Sequence, residues 1–204
     1  MNPVETTADH RPFAPATLDL GDLLLRPWSR ETDIPGGAVA GVIAAAADPA
    51  IALWNPIRAA DRAGAEAYLD RWATGWANGT TAAFAVTDTA GGELLGNVAL
   101  RWIDRADGLA MIGYWLLPGA RGRGVATRAT RAVTSWGITT AGTRRTEIAH
   151  AVGNEESCRV AERCGYPAEG ILRASHRFGD GEYHAEHLHA RLATDPEPAA
   201  LPVR

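Results

Sequence analysis

Ile112-Gly-Tyr-Trp-Leu-Leu-Pro-Gly-Ala-Arg-Gly-Arg-Gly-Val-Ala126 is the stretch on which the fold turns. An apolar strand ends at Pro118, a glycine-rich turn follows, and the turn opens a helix near Val125. The first N–H groups of a helix lack intrahelical partners and, with the helix dipole, form a site suited to an anion such as a pyrophosphate. Gly122 and Gly124 let a ligand approach the main chain closely. Arg121, Arg123 and Arg128 bring positive charge to the same turn.

Several phosphate-binding patterns are excluded. The 20 basic residues are all arginine, so no Walker lysine, kinase lysine or Schiff-base lysine for pyridoxal phosphate exists. The dinucleotide pattern G-x-G-x-x-G fails because Thr127 stands at its third glycine. The pattern that does match is R-x-x-G-x-A, here Arg121-Gly-Arg-Gly124-Val-Ala126. Further on come Asn154-Glu-Glu-Ser157, then Gly165-Tyr166 and Glu169-Gly170. Upstream stand Leu25-Arg26-Pro27 and Trp54-Asn-Pro56. Together these residues resemble the GNAT N-acetyltransferase superfamily, in the branch that includes the ribosomal-protein N-terminal acetyltransferases. The resemblance covers residues 20–192, nearly the whole chain.

Periodicity and punctuation supply the elements. Leu23–Arg26 reads as a strand. Pro35–Ala47 reads as a helix stopped by Asp48-Pro49, and Asp61–Asn78 as a helix capped by Asp61 and closed by Gly79. Ala82–Thr87 and Glu93–Ile103 read as strands joined by a hairpin at Asp88–Gly92, and Leu109–Leu117 as the fourth strand. Val125–Ile138 is a helix, Arg145–Val152 a fifth strand, and Asn154–Cys164 a helix capped by Asn154 and ended by Gly165. Ala168–Arg173 and Tyr183–Leu192 complete the set. The expected class is α/β of the α+β type: a mixed, mostly antiparallel sheet of about seven strands with four main helices on its faces. Residues 1–17 read as a loose arm, 18–193 as one domain and 194–204 as a Pro-rich disordered tail.

The resemblance implies a donor site for acetyl-CoA. The fourth and fifth strands would splay apart and admit the pantetheine arm, with the backbone of Trp115, Leu116 and Leu117 bonded to it. Arg121, Gly122, Arg123, Gly124, Val125 and Ala126 would cradle the pyrophosphate. Asn154 and Ser157 would lie near the sulfur, with Ser157 the candidate proton donor to the leaving thiolate. Many relatives place a tyrosine for that role where this chain has Ala161, and an acidic residue where it has Met111. Glu147 and His150 on the fifth strand are the substitute candidates for general base; their opposite parity lets at most one face the substrate.

The implied reaction is acetyl transfer from acetyl-CoA to a primary amine, a protein N-terminus or a small molecule, by direct attack in a ternary complex. The alternative is a non-catalytic acyl-CoA-binding sensor or interaction module. A different acyl donor such as succinyl-CoA is a third reading. A homodimer is compatible with the resemblance, and nothing in the sequence demands it.

Composition sets the remaining bounds. With 204 residues, 46% hydrophobic and 22% charged, the chain can bury one ordinary core. A net charge of −4 gives no global argument for nucleic acid. No signal peptide or membrane span is legible, so the expected compartment is the cytoplasm. Cys158 and Cys164 fall far apart around a helix and should not bridge. His176, His184, His187 and His189 read as exposed strand histidines without companion ligands, so no metal is expected. Trp28 and Trp54 are candidates to line the acceptor cleft.

Overall fold

The computed structural model describes residues 14–200. Most of the expected N-terminal arm, and residues 201–204 of the expected tail, lie outside the described residues.

The elements in chain order are β1 (Leu18–Asp19), β2 (Leu23–Pro27), α1 (Ala38–Ala47), α2 (Pro49–Trp54), α3 (Arg62–Asn78), β3 (Thr81–Asp88), β4 (Leu94–Asp104) and β5 (Leu109–Leu116). They continue with α4 (Val125–Trp136), β6 (Arg145–Ala151), α5 (Glu155–Arg163), β7 (Ala168–Arg177) and β8 (Tyr183–Leu192). The strands form one eight-stranded sheet in the order β1-β2-β3-β4-β5-β6-β8-β7. Every pairing is antiparallel except β5 with β6. The expected class holds; the strand beyond seven is the two-residue β1, too short to leave a periodic signal.

Two differences have local causes. Asp48-Pro49 does not simply stop a helix. Asp48 closes α1 and also caps α2, accepting from the Ile51 amide at 2.9 Å, with Pro49 in the first helical turn. Proline suits that turn because its missing N–H would be unpaired there anyway. The second difference is β7, which runs four residues longer than expected, to Arg177, through an irregular register between Leu172 and His176. The α3 reading holds: Asp61 accepts from the Gly64 amide at 2.8 Å, and Gly79 closes the helix at φ 69°. A cap of this kind is worth about 1 kcal/mol.

The sheet is covered on both faces, as β3 illustrates. Ala82, Phe84 and Val86 pack into one core with Val125, Ala129, Val133 and Trp136 of α4. Ala83 and Ala85, on the opposite face, pack into a second core with Val42 of α1 and Ala65 and Leu69 of α3. Alternation along a strand buried on both sides leaves β3 without a solvated face, so it reads as a continuous apolar run.

Of the segment expected as a tail, residues 194–200 lie against the body. Arg131 donates to the Ala199 carbonyl at 2.8 Å, and Arg191 pairs with Glu197 at 3.2 Å. Among the described residues, no helix is long and apolar enough to cross a membrane. Cys158 and Cys164 are both free thiols.

Candidate active site

The parallel ladder between β5 and β6 is short. Leu109, Ala110 and Met111 pair with Arg145, Thr146 and Glu147, and the pairing stops there. Beyond Met111 the two strands diverge and open a V-shaped cleft of about 790 Å³, a size suited to a cofactor-sized ligand. Its walls are the upper halves of β5 and β6, and it runs to Gly122, Gly124, Val125 and Ala126 at the start of α4.

That helix start has no side-chain cap. The N-cap is Gly124, at φ 74°, in the left-handed region that favours glycine, and the space around its Cα is open. No serine or aspartate side chain caps the main-chain amides at that start, as an anion site requires.

The arginines of the turn divide their work. Arg121 points inward: its Nη2 donates to the Leu116 carbonyl at 2.9 Å, and the same nitrogen pairs with Asp48. It braces the turn between β5 and the α1–α2 junction, so its side chain is committed away from a phosphate. Arg128 is held by Asp22. Arg123 is exposed, donating to the Gly119 carbonyl at 3.2 Å.

The register of β4 and β5 settles which backbone groups face the cleft. The Leu117 amide donates to Leu95 at 2.9 Å, and Leu95 and Leu117 continue the pairing of Asn97 with Trp115. Hydrogen-bonded pairs recur at every second residue of an antiparallel ladder. The main-chain groups of Trp115 and Leu117 are therefore spent on β4, and those of Tyr114 and Leu116 face the V. This corrects the expected set by phase: Leu117 does not line the cleft, Trp115 lines it without offering its amide, and Tyr114 is the residue that was missed. The Trp115 indole is buried and donates to the Tyr68 hydroxyl at 3.1 Å.

Tyr114 reaches across the cleft to Ser157 of α5, with 2.7 Å between the two hydroxyl oxygens. Asn154 caps α5, its Oδ1 accepting from the Ser157 amide at 3.2 Å, and thereby fixes Ser157 in the first turn. Both residues line the cleft as expected. Burial pushes the Tyr114 phenol well above its ordinary range, against the lowering effect of the Ser157 hydrogen bond, so the pair stays neutral and can donate.

The two candidate bases are placed differently. Glu147 is not among the cleft-lining residues; Arg145 Nε donates to it at 2.8 Å, and the same arginine holds Glu169 at 2.6 Å. It belongs to a structural ion-pair network. His150 borders the cleft but is buried, and burial lowers its pKa. Its Nε2 lies 3.2 Å from His189 Nε2, turned toward β8.

Two carboxylates do border the cleft among the described residues, Glu156 and Glu186. Glu156 is exposed on α5, whereas Glu186 on β8 is half-buried and accepts from Ser175 Oγ at 2.7 Å. Trp54 lines the same mouth and meets Phe178 edge to face, with ring centroids 5.9 Å apart. The loop after Phe178 seats against α2, where the Gly179 amide donates to Leu53 at 2.9 Å. A side chain at Gly179 would run into the Ala52 carbonyl. Trp28 is not in the cleft: it is 1% exposed and donates to Asn97 at 2.9 Å within the second core.

Comparison with known proteins returns one consistent answer. Residues 22–167 match the model of the acetyltransferase (GNAT) domain family. YdaF of Bacillus subtilis, which bears the name of a ribosomal N-acetyltransferase, is 37% identical over 82 residues, 40% of this chain and 45% of that protein. The ribosomal-protein-serine acetyltransferase of Escherichia coli is 32% identical over 100 residues, 49% of this chain and 55% of that protein. The chain thus spans about half the length of the curated relatives it matches. Among solved structures, the ribosomal L7/L12 α-N-protein acetyltransferase RimL in complex with coenzyme A superposes with a TM-score of 0.76 at 20% identity. That match covers 87% of this chain and 98% of that one.

Proposed function

The chain belongs to the GNAT acetyltransferase family, and we propose that it transfers an acetyl group from acetyl-CoA to a primary amine by direct attack in a ternary complex. The observation that carries this reading is the interrupted β5–β6 ladder leading to the uncapped start of α4. Pantetheine fits between strands whose facing amides and carbonyls are unpaired by sheet, and a pyrophosphate fits a helix start that lacks a side-chain cap.

The residues then take distinct tasks. The amides of Tyr114 and Leu116 bond the arm, and one polarises the thioester carbonyl as negative charge develops on its oxygen. Gly122, Arg123, Gly124, Val125 and Ala126 hold the pyrophosphate. Arg121 keeps the turn in place from behind. As the amine attacks, the carbon–nitrogen bond forms and the carbon–sulfur bond breaks; the Tyr114–Ser157 pair delivers a proton to the departing thiolate, and the proton shed by the acylated nitrogen passes through water to restore the pair. Glu186 holds the incoming ammonium at the mouth before it loses its proton to water. The relatives' names suggest a ribosomal protein as acceptor, and the name of the α-N-protein acetyltransferase RimL suggests its N-terminal amine.

Calorimetry with acetyl-CoA, followed by turnover of N-terminal peptides and small amines, tests the reading. Micromolar binding with turnover of any amine supports it. Binding without turnover would favour an acyl-CoA sensor, and no binding by folded protein would remove the donor site.

A further inference from the structure

We propose that His150, Cys158, His187 and His189 form a zinc site that pins α5 to the β6–β8 ladder beside the cleft. One ligand atom from each of the four lies within 4.8 Å of all the others. His150 and His187 are direct cross-strand partners, and His189 stands two residues along β8 on the same face. Cys158 comes down onto that face from α5 and brings its Sγ to 3.8 Å from His189 Nε2.

Both ring tautomers are fixed by backbone carbonyls. His150 Nδ1 lies 2.9 Å from the Ala151 carbonyl, and His189 Nδ1 lies 3.0 Å from the Tyr166 carbonyl. A carbonyl can only accept, so both Nδ1 atoms carry the hydrogen and both neutral rings present a bare lone pair at Nε2. Those two lone pairs face each other at 3.2 Å inside the protein, where His189 is fully buried and His150 nearly so. Two acceptors at this distance repel unless a cation lies between them. Backbone carbonyls on the remote ring nitrogens are also the arrangement that orients metal-binding histidines.

Two of the separations, 3.2 Å for His150–His189 and 3.8 Å for Cys158–His189, lie close to those of a tetrahedral ion, and the remaining donors, all within 4.8 Å, need only draw in. Zn–N bonds of about 2.0 Å and a Zn–S bond of about 2.3 Å separate the donors by roughly 3.3 to 3.6 Å. Three imidazoles and one thiolate complete a closed four-coordinate set of the structural kind. On binding, the Cys158 S–H bond gives way to an S–Zn bond and the proton leaves to solvent. Burial and the Glu162 carboxylate at 3.8 Å keep the free thiol protonated otherwise. The expectation of exposed strand histidines fails at His189, and the companion cysteine arrives from a helix 31 residues away in sequence. Because Cys158 follows Ser157, the ion would fix the helix turn that presents Ser157 to Tyr114.

The test uses the full chain, stripped of metal with chelator, and zinc or cobalt(II) alone as probe, so it does not depend on acetyl transfer. The expected result is one equivalent of tightly bound zinc. Cobalt should give the intense visible bands of a tetrahedral ion with a thiolate charge-transfer band. Cys158→Ala should abolish that band, and both it and His187→Ala should weaken zinc binding at least about tenfold. Neither residue is fully buried, and a native circular dichroism spectrum is required of each variant before its zinc binding is read. Folded wild type that takes up no stoichiometric zinc would overturn the proposal, leaving a shared proton between the histidines. Zinc uptake unchanged in both variants would overturn it too, as an adventitious ion elsewhere.

Discussion

The Tyr114 and Ser157 hydroxyls, 2.7 Å apart, tie β5 to the first turn of α5 beside the V where β5 and β6 have stopped pairing. One residue comes from a strand and the other from the first turn of a helix, so the contact is a product of tertiary structure alone. If the pair protonates the leaving thiolate, Tyr114→Phe should lower kcat by about 10² with little change in acetyl-CoA affinity. Ser157→Ala should do the same, and the double variant should lose little more, because the two act as a unit. Since burial raises the Tyr114 pKa, no loss of activity from its ionisation should appear up to its ordinary value near 10. Steady-state kinetics across pH checks this, and an unchanged kcat in both single variants would remove the pair from the chemistry.

The donor site can be tested without straining the turn. Gly124 sits at φ 74°, so any side chain there disturbs the backbone as well as the ligand. Ala126 is the better position, being in the first turn of α4 and bordering the cleft. A carboxylate at a helix start favours the helix by about 0.5 kcal/mol but repels a pyrophosphate. Ala126 is largely buried, so Ala126→Glu carries a desolvation cost that offsets the helix-start gain; in protein shown by circular dichroism to be folded, acetyl-CoA binding should fall at least about a hundredfold (roughly 3 kcal/mol). Binding retained in this variant would mean the phosphates lie elsewhere.

Local chemistry was legible and relational chemistry was not. Asp61 and Gly79 bound α3 as their residue types require, because a cap is decided within one turn. Asp48-Pro49 misled because the same dipeptide ends one helix and begins another. Which amides of β5 face the cleft depends on the register with β4, set by hydrogen bonds such as that of Leu117 to Leu95. No inspection of residues 112–117 alone supplies that phase, and the expected backbone set was accordingly shifted onto Trp115 and Leu117. Trp28 adjoined the cleft in sequence logic but turned into the second core to meet Asn97. The histidines of β8 acquired meaning only when His150 and Cys158 were brought to them.

The two acidic residues nearest to this question should separate cleanly. Glu186→Gln removes a half-buried charge from the cleft mouth, and KM for the amine should rise roughly tenfold, as for loss of one charge-assisted hydrogen bond. Glu147→Gln disturbs only the network around Arg145, so its kcat/KM should stay within about twofold of wild type while Tm falls by a few degrees. Amine-dependence kinetics on both proteins decides the assignment. A large kcat loss in Glu147→Gln with intact Tm would return Glu147 to the catalytic role that its ion pair denies it.

The Asp48–Arg121 pair links the α1–α2 junction to the turn before α4, and its stability should depend on pH. Burial acts to raise the Asp48 pKa, but the Arg121 guanidinium and the Ile51 amide outweigh it, and the carboxyl titrates below its ordinary 3.8. A carboxylate whose pKa is lower in the folded state stabilises the fold above the unfolded value and loses that contribution as pH falls through the folded one. Stability from this pair should thus be complete at pH 5 and above, roughly a unit over the unfolded value, decline progressively below about pH 3.8, and vanish only under the lower folded-state pKa. Asp48→Asn keeps a competent helix cap, since asparagine serves that position as well as aspartate, and removes only the charge. The variant should lose about 1–2 kcal/mol at pH 7 and show a flatter acid limb in a plot of Tm against pH. Arg121, released from Asp48, would hold the Leu116 carbonyl less firmly, so KM for acetyl-CoA should rise several-fold while kcat stays near wild type. Equal acid limbs in the two proteins would show that the pair stores no pH-dependent stability, and an unchanged KM would show that the turn is held by its glycine geometry alone.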